Sequence, residues 1–136
     1  MSAGVLVGYD GSDCAKAALA TGIEVAKAYG DKLIVAFGYE VNPVGGEVKD
    51  YADALKELAN RRVHEAVSLA QGIEVEPVIV ERAPAAGLAE LATLRDVRVI
   101  VVGTRGESPL HAALLGSTPH KLLALADRPV LVVPGP

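Results

Sequence analysis

The strongest constraint on this chain is the regular exchange of two hydrophobic periods from end to end. Short, β-rich, nearly unbroken apolar runs recur at 5–9, 32–39, 74–80, 98–102 and 130–133, which reads as five strands. Between them the apolar residues fall at helical spacing. Segment 13–29 is Ala-rich with apolar or small residues at Ala15, Ala18, Leu19, Gly22, Ala26 and Tyr29, and 51–70 repeats at Tyr51, Leu55, Leu58, Val63, Ala66, Val67 and Ala70. Shorter helices fit 84–94, with Pro84 in the first turn, and 118–126, with Ser117 or Thr118 as N-cap and Pro119 at the first helical position. Strands without polar alternation need cover on both faces, and parallel strands joined by helices provide it. The expected fold is α/β: a Rossmann-like open parallel five-stranded sheet in the order 3-2-1-4-5 with helices on both faces. Splitting 136 residues would leave halves too small to bury much apolar surface, so a single domain spanning 1–136 is expected.

Composition narrows the partners. The net charge is −4 and the Lys and Arg residues are scattered, which argues against nucleic acid or an anionic membrane as the main partner. Every long apolar window is interrupted by Gly, Asp, Lys or Arg, so no membrane span is expected. One cysteine, Cys14, cannot form an internal disulfide, and the amino-terminal stretch lacks the charged head and apolar run of a signal peptide; cytoplasm is the expected location. The three histidines, His64, His111 and His120, match no zinc-ligand spacing. Of these only His120, one turn into the last helix, is worth watching for a ligand nearby, and an ordinary helix position is the expected reading.

Ligands of open α/β sheets bind beyond the carboxyl ends of the strands where the order reverses. Two unusual loops converge there. Strand 1 ends in Gly8-Tyr9-Asp10-Gly11-Ser12, and strand 4 runs into a glycine loop over 103–117. Glycines at 103, 106 and 116 leave room for a bulky anion at the main chain and permit positive φ, so successive amides can form an anion nest. Ser117 and Thr118 then open a helix whose amide donors and dipole favour a phosphate. Asp10 suits sugar hydroxyls, or a metal bridging to phosphate. Arg105, inside the loop, is within reach of a terminal phosphate. Ser12 and Asp13 read as helix caps, Cys14 as a small buried residue near a helix start whose dipole lowers its pKa, and Tyr39 as flanking a base or closing the core. A Walker loop, a strand-1 dinucleotide fingerprint and a hydrolase elbow are all absent from the sequence.

The spacing G-x2-G-x9-G-S, met by Gly103, Gly106, Gly116 and Ser117, resembles the ATP-binding signature of the universal stress protein family. The Asp10-Gly11-Ser12 strand end, Leu114 to Ser117 (LLGS) and the closing Arg128 to Pro134 (RPVLVVP) resemble it too, and the likeness spans essentially the whole chain. The resemblance implies a stress-response protein that binds ATP or AMP, with Mg²⁺ where the phosphates call for it. It implies that Asp10 meets the ribose or the adenine side, with Gly8 and Tyr9 beside it, and that the main chain near Phe37 reads the adenine edge. Val102 and Gly103 then pack under the ribose, while Gly106, Gly116, Ser117 and Thr118 hold the phosphates. Ala36, Phe37, Tyr9 and Pro119 depart from the family's usual residues, and AMP, ATP and a cyclic nucleotide all stay open.

The loop holds no lysine before Lys121, whereas phosphoryl transfer ordinarily uses a lysine or metal at the β and γ phosphates. The expected function is therefore a nucleotide-responsive regulatory module, in which ligand orders 103–117 and the polar loop 40–49 and a protein partner reads the altered surface. The alternatives are a slow Mg²⁺-dependent ATPase using Asp10 and a nucleotide-free dimeric assembly module. Val130, Leu131, Val132 and Val133 form an uncharged edge strand that invites another copy, and the resemblance likewise implies a homodimer through this strand.

Overall fold

A computed structural model of the protein describes residues 3–40, 48–105 and 115–136. Strands and helices alternate throughout: β1 (Gly4–Gly8), α1 (Asp13–Tyr29), β2 (Lys32–Gly38), α2 (Val48–Leu69), β3 (Val75–Val80), α3 (Pro84–Arg95), β4 (Val99–Gly103), α4 (Ser117–Leu125) and β5 (Val130–Val133). The strands form one parallel sheet in the order β3-β2-β1-β4-β5. Register is carried by β1, where Val5 faces Leu33 on one side and Val99 on the other. This is the expected architecture and strand order.

Alternation along the central strands builds two cores. Val5, Val7, Leu33, Val35 and Val101 point to one face and pack with Ala15, Ala18, Leu19 and Ala26 of α1 and Ala66 of α2. Leu6, Ile34, Ala36, Ile100 and Val102 point to the other and meet Ala85, Leu88, Leu91 and Ala92 of α3 and Leu122 of α4. The β1 and β4 side chains in these groups are almost wholly buried, which is why those strands carry no polar alternation.

Helix α1 matches its expected limits because both of its ends are chemically marked. The Ser12 hydroxyl accepts the Ala15 N–H at 3.1 Å, and Gly30, at φ 70°, closes the helix by donating to the Ala26 and Lys27 carbonyls. Small residues let α1 lie close on the sheet: a side chain at Gly22 would run into Val7. The other helices depart from expectation in detail. Tyr51 and Val67 of α2 are exposed, and its buried stripe is Ala59, Val63 and Ala66, continued by Ala70 just past its end. A helix covering β2 and the edge strand β3 needs only this narrow apolar seam. Helix α4 starts at Ser117, with Gly116 as its cap and Pro119 at its third position. Proline is accommodated there because the first-turn amides have no intrahelical acceptor. Among the described residues no helix is long and apolar enough to cross a membrane.

Candidate functional site

β1 pairs with β2 on one side and β4 on the other, and the chain leaves β1 and β4 toward opposite faces of the sheet. The two loops therefore part, and a cleft of about 520 Å³ opens at the carboxyl ends of these strands. Gly8, Tyr9 and Asp10 from β1 and Val102, Gly103 and Arg105 from β4 line its centre. Ala36, Phe37 and Gly38 close it at the end of β2, and Gly116, Ser117 and Thr118 close it at the start of α4. The described residues expected to bind the nucleotide thus share one cleft, whereas His120 does not line it. Gly106 lies outside the described residues, as do His111 and most of the 40–49 loop.

The local chemistry of the β1 tip is settled by two turns of hydrogen bonding. Asp10 Oδ1 accepts the Ser12 N–H at 2.9 Å, Gly11 follows at φ 87°, and Ser12 caps α1. Asp10 is held at the cleft by its own turn, so its carboxylate needs no ligand to be oriented.

Gly103 and Gly116, the described glycines of the β4 loop, depart from the expected positive φ; among described glycines the left-handed region is occupied by Gly11, Gly30 and Gly72. They permit close approach instead. A Cβ at Gly103 would lie 2.6 Å from Cys14 Cβ and 2.8 Å from the Cys14 carbonyl oxygen; one at Gly116 would lie 3.0 Å from the Thr104 carbonyl oxygen. Gly116 donates its N–H to that same carbonyl at 2.7 Å, so this amide is already engaged. The helix start offers the amides of Ser117 and Thr118, which have no acceptor four residues back within α4, together with the positive end of the helix dipole. Pro119 lines the cleft but has no amide to contribute.

Cys14 is buried where α1 meets β4 and the carboxyl-terminal segment. Its Sγ lies 3.6 Å from Thr104 Oγ1, and that hydrogen bond is the main cause of a lowered thiol pKa, opposed by burial and aided by the main chain at Arg105 and Gly135. A Cβ at Gly135 would sit 2.6 Å from the sulfur. Cys14 is a packing residue that joins three segments. Tyr39 closes the core: its hydroxyl donates to Glu81 at 3.0 Å. His64 and His120 are exposed.

Six lining residues escaped the sequence reading of the site: Ala15 from α1, Gly38 at the end of β2, Leu58 and Arg62 from α2, and Pro84 and Leu88 from α3. Leu58 and Arg62 stand one helical turn apart, and that spacing was the available signal, masked by the many charges around it. Arg62 lies across the β1 turn, where a Cβ at Gly11 would be 2.6 Å from its Cζ. Its Nη1 is 3.4 Å from Glu65, and Glu65 in turn accepts the Tyr9 hydroxyl. Burial first and Glu65 second hold the Tyr9 phenol well above its usual pKa; the same bond holds Glu65 below the usual carboxylate range. Among the described residues, the charged side chains lining the cleft are Asp10, Arg62 and Arg105, so two cations face one anion in a chain whose net charge is −4. The cleft thus offers a carboxylate, two guanidinium groups and helix-start amides, and the chemistry these suit is that of a small anionic molecule carrying hydroxyls.

The sequence model of the universal stress protein family matches residues 1–134. The chain belongs to the universal stress protein family. A universal stress protein of Thermus aquaticus, named for its place beside a QAH/OAS sulfhydrylase, is 34% identical over 132 residues, covering 95% of this chain and 96% of its own length. The structure of a universal stress protein from Archaeoglobus fulgidus superposes with a TM-score of 0.80 at 27% identity, over 98% of this chain and 99% of that one. Another universal stress protein, solved in complex with cAMP, superposes with a TM-score of 0.76 at 30% identity, over 96% of each chain. The universal stress protein likeness therefore takes in both cores and every strand that borders the cleft.

Proposed function

We propose that this universal stress protein binds an adenine nucleotide, AMP or ATP, the latter with Mg²⁺, and works as a ligand-responsive regulatory module. The observation that carries the proposal is the meeting, in one cleft, of the Asp10 carboxylate with Arg105 and the first amides of α4. A carboxylate suits ribose hydroxyls, and a helix start beside an arginine suits phosphate. Mg²⁺ fits as a companion of the phosphates: Asp10 is the carboxylate lining the cleft among the described residues, and a cation of this kind takes most of its ligands from water and phosphate. The cAMP complex of a relative 30% identical adds a cyclic nucleotide to the ligands worth titrating.

Mass spectrometry of small molecules released from freshly purified protein, followed by calorimetry with AMP, ATP and cAMP, tests this. An adenine nucleotide recovered and rebound, with affinity lost in Asp10→Ala, supports it. No release and no binding by the wild type would leave an assembly module in its place. Sustained ATP turnover that Asp10→Ala abolishes would make the protein an ATPase.

The same proposal includes a homodimer through β5. This strand is at the edge of the sheet, its four residues are apolar, and Leu131 is 38% exposed. Leu131→Arg is expected to give monomers by light scattering; an unchanged mass would move the interface elsewhere.

A further inference from the structure

We infer that Arg62 of α2 is a ligand-contacting residue that grips the nucleoside half of the nucleotide with its planar guanidinium against the base. This rests on the nucleotide binding proposed above and assigns a specificity-determining group within that site.

The sheet order decides which half Arg62 serves. Helix α2 packs on β2 and β3, so the side chains it sends into the cleft stand at the β2 end. Arg105 and the α4 amides stand at the β4 end, with β1 between them. On the α2 side of the sheet the apolar lining comes from Leu58, one turn before Arg62, and from Phe37 at the end of β2, which shares the face of Val35. A slot of this kind accepts a flat heterocycle, and a guanidinium is the cation best suited to lie on one, being planar and weakly hydrated.

Arg62 is also aimed from behind. Its Nη1 lies 3.4 Å from Glu65, and Glu65 is fixed in turn by Tyr9, whose ring is 2% exposed. The orienting carboxylate is thus tied to the core rather than to solvent. The missing side chain at Gly11 lets the guanidinium lie on the β1 turn beside Asp10, the group proposed to take the ribose. Base and sugar recognition then meet at one turn.

Isothermal titration of the full chain with adenosine and with ATP separates the roles, using wild type, Arg62→Gln, Arg62→Lys and Arg105→Gln, with thermal melts to check folding. Arg62→Gln is expected to weaken adenosine and ATP by the same factor, roughly 3- to 30-fold. Arg62→Lys, which keeps the charge and loses the plane, is expected to recover little of it. Arg105→Gln is expected to weaken ATP and leave adenosine unchanged. An Arg62→Gln loss confined to ATP, no loss with either ligand, or full recovery in Arg62→Lys overturns the assignment while leaving nucleotide binding intact. Should Arg62→Gln melt early, Arg62→Lys alone carries the test, since a folded protein with wild-type adenosine affinity overturns it. Wild-type protein that binds neither ligand removes the nucleotide proposal and this inference together.

Discussion

The two ends of the same strands use charge in opposite ways. At the amino ends, Asp31 is 5% exposed and accepts from Arg98 Nε at 2.7 Å, while the Arg98 guanidinium lies 4.0 Å from the centre of the Tyr29 ring. Nearby, Glu76 takes Lys32 at 3.0 Å and Arg95 at 2.7 Å. Charges there close on one another and tie neighbouring elements together. At the carboxyl ends Asp10, Arg62 and Arg105 border an opening, Arg62 while meeting Glu65, and glycines keep the surrounding backbone close. One end of the sheet is closed by its own side chains, and the other leaves the cleft to which a nucleotide is assigned by proposal.

The sharpest perturbation of the carboxyl end is Gly103→Ala. Its Cβ would meet the main chain of Cys14, which cannot rotate away, so a loss of about 1–3 kcal/mol in chemical denaturation is expected, with weakened nucleotide binding. At the amino end Arg98→Ala should lower the thermal midpoint, because it strands the Asp31 carboxylate, yet leave nucleotide affinity as it was. Equal damage to affinity from both substitutions would mean the two ends are not separate. A milder case is Gly30→Ala, which meets no atom within 4 Å and is opposed only by the left-handed backbone; about 1 kcal/mol is expected.

The pH response distinguishes the ends more finely. Glu65 is held below the usual carboxylate range, so its contribution is complete above about pH 4.3 and fades as pH falls through its lower folded value. The Tyr9 phenol is raised, so its contribution is complete below about pH 10 and fades as pH rises beyond that. Thermal melts across pH should therefore show Glu65→Gln flattening part of the acid limb. Tyr9→Phe should flatten part of both limbs, and identical profiles would show that the link contributes nothing. Glu76, lowered first by Arg95 and then by Lys32, supplies an amino-end share of the acid limb that neither substitution touches. The smallest effect belongs to Arg61→Ala on the outer face of α2, where an exposed pair with Glu57 is worth about 0.3 kcal/mol.

Much of this was legible beforehand, for reasons that differ by element. α1 could be bounded because Ser12 and Gly30 mark its ends by local chemistry, and β5 because its apolar run is bracketed by prolines. The α4 start was harder: Ser117, Thr118 and Pro119 all suit a helix start, and only the fold shows that the Gly116 carbonyl accepts the first helical amide, from His120, where the nearby Thr104 carbonyl crowds any side chain. Tyr51 and Val67 looked like core because apolar spacing reports which residues share a face, not whether a neighbour is there to cover that face. The glycine loop led to this cleft, but Gly103 does not take the positive φ expected of it, and its missing side chain makes room for Cys14, 89 positions away in sequence.

Hydrophobic period and local capping act over one or two turns of chain, so the sequence alone determined the element types, the parallel two-faced sheet and the loop that leads to the cleft. The packing of α2 across β2 and β3, which brings Arg62 over Gly11, and the contact that makes Gly103 obligatory join residues far apart in the chain. Such pairings depend on how whole elements settle against one another, and only the tertiary structure decided them.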